Sequence, residues 1–146
     1  MITEALRNYV FNDVQHGITA GTRSSGSKVD FHHTFLHDTK ANRKKFPYLI
    51  DSPFNLWALP HLFHIANPAW KPFKLPDWLL VEIEGSLKSF DEAVKTTEKT
   101  FEELFESRKR LFEPYGMLIE PNVNETYKLF NNRLEAAFRW IWIKRR

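Results

Sequence analysis

An apolar stripe in the second half of the chain constrains the fold more than any other feature of the sequence. From Asp77 onward, a stripe residue recurs every three or four positions, the spacing that forms one face of an α-helix. The stripe comprises Leu80, Ile83, Leu87, Phe90, Val94, Thr97, Phe101, Leu104, Arg108 and Leu111. It predicts one long helix that begins at Asp77 and stops near residues 113–116.

A second stripe follows Pro121 and predicts the last helix. Asn122 and Glu125 have the spacing of a capping box, in which two side chains satisfy backbone N–H groups at a helix start. The apolar face of this helix comprises Val123, Tyr127, Phe130, Leu134, Phe138 and Ile141. We therefore expect residues 77–146 to form an antiparallel helical hairpin.

The first half of the chain contains shorter elements. Apolar residues at helical spacing predict a helix over residues 2–15, and a Gly- and Ser-rich stretch up to residue 28 predicts a loop. Alternating β-branched, aromatic and polar residues predict short strands. The remaining predictions are strands at 29–35 and 54–59, a basic loop at 40–45, a short helix at 61–66 and a rigid proline-containing connector before residue 77. The fold class is α+β, mostly helical, in a single domain of residues 1–146.

Composition excludes several kinds of function. The 146 residues contain no cysteine, which removes disulfides, cysteine-ligated zinc and thiol nucleophiles. No apolar run approaches the roughly 18–20 residues that span a bilayer, and the N-terminus lacks a signal-peptide core. We expect a soluble, cytoplasmic protein that makes no membrane contact, with export by a route other than Sec left open.

The net charge of +3 is unevenly distributed. Residues 1–76 contain nine Lys/Arg and five Asp/Glu, residues 77–106 contain three and nine, and residues 107–146 contain nine and four. Two basic regions thus flank an acidic one. This pattern suits a nucleic-acid-binding protein if the basic regions meet in space.

The histidines are concentrated in one part of the chain. Five of the six lie between His32 and His64. Imidazole is a common metal ligand, and its pKa lies close to neutrality. Such a cluster is therefore typical of a metal site or an acid/base site.

The order of these residues is more specific than their number. The pair His32-His33 lies in the first strand, Asn55 opens the second, and His64 lies on the short helix. This order resembles the HNH, or ββα-metal, nucleases, and the resemblance covers about residues 29–70. The segment Asn55-Leu-Trp-Ala-Leu-Pro-His-Leu-Phe-His-Ile-Ala-Asn-Pro-Ala-Trp70 is similar to the end of the motif in bacterial toxin nucleases of this superfamily.

The resemblance implies a role for each residue of the motif. His32 and His64 would bind one divalent metal ion, which could be Mg²⁺, Mn²⁺, Ni²⁺ or Zn²⁺. His33 would be the general base that takes a proton from the attacking water, and Asn55 would orient it. Asn67 would supply a third ligand, with His61 and His37 as alternatives. The resemblance also implies that Arg43, Lys44 and Lys45 bind substrate phosphates.

The implied function is metal-dependent hydrolysis of DNA, in preference to RNA, in a toxin or defence context with an acidic immunity or antitoxin protein as partner. Homodimerisation through the C-terminal helices is also expected. Two other interpretations remain open at this point. The histidines could be structural residues of a helical interaction or adaptor protein, or they could belong to a metal-binding protein that is not a nuclease.

Overall fold

A computed structural model describes residues 2–14, 29–60, 75–116 and 124–145. The chain forms two compact units, residues 1–74 and residues 75–146. Their boundary coincides with the proline-containing connector predicted from the sequence. The expectation of a single domain stays a prediction, and each unit is described by itself.

The first unit begins with the helix expected near the N-terminus. Helix α1 spans Glu4–Tyr9 and continues as a π-helical segment over Val10–Val14. The Thr3 hydroxyl caps α1 by accepting a hydrogen bond from the Leu6 amide at 3.2 Å. Leu6 and Tyr9 are buried on one face, which confirms the helical spacing read from the sequence.

The predicted pair of strands is also present. Strand β1, Val29–His33, pairs antiparallel with strand β2, Leu56–Pro60. The register places Val29 opposite Pro60 and His33 opposite Leu56. Strand β1 ends two residues earlier than predicted because the Phe35 and Leu36 amides bond to the side-chain oxygen of Asn55 instead of continuing the ladder.

The basic segment predicted as a loop is a short helix, so this prediction is wrong. Helix α2 spans Lys40–Lys45, and the Thr39 hydroxyl caps it by accepting a hydrogen bond from the Asn42 amide at 3.1 Å. Lys, Ala and Arg favour helices, and a threonine cap strengthens them. The helix has no buried residue, so it has no apolar stripe by which a periodicity search would find it.

The core of the first unit lies between the hairpin and the segment after α2. The Phe35 and Phe54 rings stack with centroids 4.7 Å apart. The other core residues of this region are Phe46, Leu49, Ile50, Leu56 and Ala58. These contacts hold residues 46–55 against the end of β1, which matters for the site described below.

Residues 75–116 and 124–145 of the second unit form three helices where a hairpin of two was predicted. Helix α3 spans Asp77–Val94, α4 spans Phe101–Gly116 and α5 spans Asn124–Arg145, and α5 packs against both of the others. The Phe138 ring of α5 contacts Phe90 and Phe105 with centroid distances of 5.1 and 5.3 Å. Much of the predicted stripe is thus buried as expected, but on separate helices.

The prediction of one long helix from Asp77 is wrong because a new helix start interrupts it. The Thr100 hydroxyl accepts a hydrogen bond from the Glu103 amide at 3.2 Å and donates one to the Glu103 carboxylate at 3.2 Å. This is a variant of the capping box, whose Thr-x-x-Glu pattern marks the first turn of a helix. Thr96 and Thr97, which are poor helix formers, precede it.

Across the described residues, no helix combines the length and the apolarity needed to cross a membrane.

Candidate active site

Strand β1 carries the histidine pair. His33 is the last residue of β1, and its neighbour His32 is paired with Trp57. Successive side chains of a strand point to opposite faces, so the ladder by itself separates the two imidazoles. Both residues are half-buried, and the Nε2 atom of His32 is shielded from solvent. That His32 and His33 serve the same metal-dependent site therefore stays a prediction.

Asn55 forms a buried link between the two sides of the site. Its side-chain oxygen accepts hydrogen bonds from the Phe35 and Leu36 amides at 2.8 and 2.9 Å. Its amide nitrogen donates to the carbonyls of Leu36 and Ile50, both at 2.9 Å. These four bonds use the full capacity of a carboxamide, and the residue is 0% exposed. Asn55 therefore ties the chain just after His33 to the chain just before Asp51.

The expected role of Asn55 was to orient His33. All four of its side-chain bonds go to backbone atoms, so it does not contact the imidazole directly. It acts on the backbone at both ends of the connection between β1 and β2. The side chain that contacts the imidazole is a different one.

That side chain is Asp51. The His33 Nε2 and the Asp51 Oδ1 lie 3.0 Å apart, and each of the two side chains is 13% exposed. Sequence reasoning missed Asp51 because 18 positions separate it from His33 and no spacing rule connects the two. Two carboxylates, Asp38 and Asp51, lie between the histidine pair and Asn55, and nothing in their spacing distinguishes Asp51.

Arg43 holds the other side of this carboxylate. Its two terminal nitrogens donate to Asp51, Nη1 to Oδ2 at 2.6 Å and Nη2 to Oδ1 at 3.2 Å, and its Nε donates to Asp38. Such a two-bond pair is geometrically specific as well as strong. The charge of Arg43 was predicted to bind substrate phosphate. In this structure it is engaged by two carboxylates of the protein.

The electrostatics of this cluster follow from its contacts. Burial alone would raise the pKa of Asp51, but hydrogen bonds from His33 and Arg43 outweigh it and hold that pKa well below its ordinary value. Hydrogen bonds to Asp38 and then Asp51 raise the pKa of Arg43 above its ordinary value. Asp51 is therefore ionised near neutral pH and can only accept hydrogen bonds.

This ionisation state determines the proton arrangement on His33. Because the Asp51 carboxylate only accepts, the His33 Nε2 carries the proton of their hydrogen bond. In the neutral imidazole the other nitrogen, Nδ1, is then the basic one. The arrangement thus provides a histidine with a defined proton-accepting atom, as a general base requires.

The other predicted site residues are less closely associated with this cluster. Lys44 and Lys45 lie exposed on α2, next to Arg43, and the Lys45 ammonium lies 5.2 Å from the centre of the Phe46 ring. His37 is exposed and its backbone carbonyl accepts from the Asn42 amide group at 3.0 Å. The predicted ligands His61, His64 and Asn67 lie outside the described residues.

No set of three His, Cys, Asp or Glu side chains within the described ranges could together hold a metal ion. Of the predicted ligands, His32 and His37 fall inside those ranges. Imidazole suits zinc, nickel and other divalent transition ions, so the donor chemistry of His32 fits the expected metal. The complete ligand set stays a prediction.

No protein-family model matches this chain, and comparisons with curated proteins and with solved structures found no match either.

Proposed function

We propose that this protein is a metal-dependent nuclease that hydrolyses phosphodiester bonds of DNA, in preference to RNA, with His33 as the general base. The observation that carries the proposal is the contact between His33 and Asp51 at the end of β1. It leaves the Nδ1 of a neutral imidazole as a proton acceptor, and a second histidine, His32, is the adjacent residue in the sequence. The resemblance of this segment to the HNH motif supports the same function.

In the proposed reaction, His33 accepts a proton from the water that attacks the phosphate. A positioned histidine contributes roughly 10²- to 10⁴-fold to such a step. Water attack forms the new P–O bond as the bond to the leaving oxygen breaks, and the proton goes from water to His33 Nδ1. Asn55 maintains the backbone on which this geometry depends.

The metal would be bound by His32 and His64, with Asn67, His61 or His37 as the third ligand. A divalent ion at that position supplies Lewis acidity that stabilises the charge on the phosphate and on the leaving oxygen. The half-buried imidazole of His32, adjacent in sequence to the base, fits this role.

Substrate binding would involve Lys44 and Lys45. These exposed cations lie on the same helix as Arg43, which contacts Asp51. Asp51 in turn contacts His33, so this helix carries positive charge and is linked to the general base through Asp51. Lysines bind phosphates without reading sequence, which suits a nuclease of low sequence specificity. Arg43 retains two N–H groups beyond the three that bond to Asp38 and Asp51.

We also propose a toxin or defence context. An acidic immunity or antitoxin protein would then be a natural partner, attracted by the basic regions of the chain. A homodimer through the C-terminal helices, and a cytoplasmic location or export by a route other than Sec, belong to the same proposal.

The rival function, a helical interaction or adaptor protein, would need apolar residues on the outer face of residues 86–113. Among the side chains that the structure describes, the exposed large hydrophobic residues are Trp78, Val81 and Ile143. None of them lies within that range. The rival therefore has less support than the nuclease.

Purified protein incubated with plasmid DNA and with RNA tests the proposal, with Mg²⁺, Mn²⁺, Ni²⁺ or Zn²⁺ added in turn. We expect cleavage with at least one metal, loss of cleavage on addition of EDTA, and at least a 100-fold slower rate for His33→Ala. His16→Ala, which changes the one histidine outside the cluster, is the matched control and should cleave normally. Absence of cleavage with every metal, or equal cleavage by His33→Ala, would overturn the proposal.

A further inference from the structure

The contact between Asp51 and His33 has a more specific meaning if the protein is a nuclease. We propose that Asp51 is a positioning residue for this reaction, which holds the His33 imidazole so that Nδ1 faces the attacking water, and that Arg43 holds Asp51 in turn. The inference rests on the proposed function. It assigns roles to two residues that the sequence motif does not assign in this way.

The geometry around the Asp51 carboxylate supports this role. Its Oδ2 accepts from Arg43 Nη1 at 2.6 Å, and its Oδ1 accepts both from Arg43 Nη2 at 3.2 Å and from His33 Nε2 at 3.0 Å. Both oxygens are therefore constrained, and the two-bond contact with Arg43 opposes rotation of the carboxylate. An imidazole bonded through one nitrogen to a constrained acceptor cannot turn over without breaking that bond.

Burial makes the constraint effective. The side chains of His33 and Asp51 are each 13% exposed, so little water competes for their hydrogen bond. An unrestrained imidazole rotates broadly about its second side-chain torsion, and a half-turn puts a ring carbon where each nitrogen was, Cδ2 for Nδ1 and Cε1 for Nε2. The bond to Asp51 selects one of these two orientations, which leaves Nδ1 available.

The backbone holds Asp51 at the right place. Asn55 donates to the carbonyl of Ile50, the residue before Asp51, and accepts from the Phe35 amide, two residues after His33. The Asn55 amide also donates to the Ser52 carbonyl at 2.9 Å, directly after Asp51. Asn55 thus brings the two partners together, and Asp51 transmits this placement to the imidazole.

Asp38 provides a matched comparison within the same cluster. It also accepts a hydrogen bond from Arg43, but its side chain is 44% exposed and it forms no hydrogen bond with His33 among the described contacts. Its atoms take no part in the hydrogen bonds of Asp51 with His33 and Arg43. A general effect of losing a carboxylate near Arg43 would therefore appear on substitution of either Asp38 or Asp51. An effect on the position of His33 would appear only on substitution of Asp51.

The test compares Asp51→Ala, Asp51→Asn, Asp51→Glu and Asp38→Asn with the wild-type protein, using kcat and KM for plasmid cleavage. We expect kcat to fall by roughly 100-fold or more in Asp51→Ala and Asp51→Asn, with KM changed by about twofold or less. Asp51→Glu should recover part of the loss, since it restores an ionised acceptor. Asp38→Asn should retain kcat within about twofold.

A second measurement needs no cleavage. In the metal-free protein labelled with ¹⁵N-histidine, the proton on His33 Nε2 should exchange slowly with water and give a resonance that His33→Ala removes. Asp51→Ala should abolish this resonance, and Asp38→Asn should retain it. If Asp51→Ala does not fold, as judged by circular dichroism, Asp51→Leu, which has a similar shape and no acceptor, takes its place in both measurements.

The outcomes separate the inference from the function on which it rests. If the wild-type protein cleaves and His33→Ala does not, but Asp51→Ala and Asp51→Asn keep the wild-type kcat, the inference is overturned and the nuclease remains. If the wild-type protein cleaves neither DNA nor RNA, the function fails and the inference is overturned with it. A His33 resonance that persists in Asp51→Ala would also overturn the inference.

Discussion

Each of the two units is stabilised internally by a different kind of contact. In the first, a buried carboxamide, Asn55, ties residues 33–36 to residues 50–56 through four hydrogen bonds to the backbone, in addition to the stacking of Phe35 on Phe54. In the second, three helices bury an aromatic cluster around Phe138. Hydrogen bonds are exacting about donors and acceptors, whereas apolar contacts tolerate changes that conserve volume. The unit that contains the candidate site should therefore tolerate fewer substitutions at its central buried residue than the helical unit.

Both units also contain an aspartate bound by two nitrogens of an arginine. In the second unit, Arg145 donates to the two oxygens of Asp91 at 2.6 and 2.9 Å. Asp91 is fully buried, and the pair connects the end of α5 to α3. In the first unit, Asp51 binds Arg43 and, in addition, the ring of His33. We expect the pair in the second unit to affect stability and the pair in the first to affect chemistry as well.

The largest effect on stability is expected from Asn55→Asp. The carboxylate cannot donate to the Leu36 and Ile50 carbonyls, and each buried acceptor left unsatisfied costs about 1–3 kcal/mol. We expect the free energy of unfolding to fall by roughly 4 kcal/mol, measured by urea denaturation and by amide exchange at Phe35 and Leu36. Phe138→Leu, a conservative change in the second unit, should cost only about 1 kcal/mol. Equal losses would contradict the contrast between the units.

Asp91→Asn should lower stability without slowing cleavage. Removing the charge weakens two charge-assisted hydrogen bonds with Arg145 and reduces the free energy of unfolding by about 2 kcal/mol. The cleavage rate of the folded variant should equal that of the wild-type protein. A large loss of kcat in a fully folded Asp91→Asn variant would show that the second unit also contributes to the site.

Asp51→Asn should change the pH dependence of stability. The lowered pKa of Asp51 means that its ionised form stabilises the folded state above the unfolded pKa of about 4. This contribution is lost as the pH falls through the lower folded pKa. Because Arg43 is 36% exposed and partly screened, we expect a difference of about 1.5 kcal/mol at pH 5 that shrinks towards pH 2.5. Thermal melts over this range measure it, and a constant difference would contradict the lowered pKa.

The smallest expected effect concerns the break between α3 and α4. Thr100→Ala removes the cap at the start of α4 and should lower the free energy of unfolding by about 1 kcal/mol. Thr96→Ala is the matched control, because the Thr96 hydroxyl forms only a long 3.5 Å bond to the Ala93 carbonyl. Urea denaturation of the two variants gives the comparison. If Thr96→Ala lowered the free energy of unfolding more than Thr100→Ala, the Thr100 cap would not be the main stabilising contact between α3 and α4.

The course of α3 and α4 shows what a periodic pattern can and cannot predict. The apolar stripe correctly identified Leu87, Phe90 and Phe101 as core residues. It did not reveal the break, because the phase of the stripe continues across residues 95–100. The Thr100 and Glu103 capping box was available in the sequence and would have predicted the second start. In α2, a polar helix without a stripe, only the Thr39 cap could have indicated helix.

The candidate site divides in the same way. The sequence identified the histidine pair and Asn55, and the two predicted strands are confirmed as an antiparallel pair. Asn55, which was predicted to open the second strand, lies just before β2. The nuclease motif remains a prediction for its metal ligands, of which His61, His64 and Asn67 lie outside the described residues. Asp51 was missed, and the fold revealed that Arg43 contacts carboxylates of the protein.

The sequence by itself therefore determined the helical faces, the strand pair and the residue types available for chemistry, because these follow from short-range spacing along the chain. Only the tertiary structure decided that His33 meets Asp51 and that Asn55 acts through the backbone. His33 and Asp51 are 18 residues apart along the chain, and Phe35 and Asn55 are 20 apart. A hydrogen bond between them depends on distances and angles that arise only when the turn before β2 folds against the end of β1.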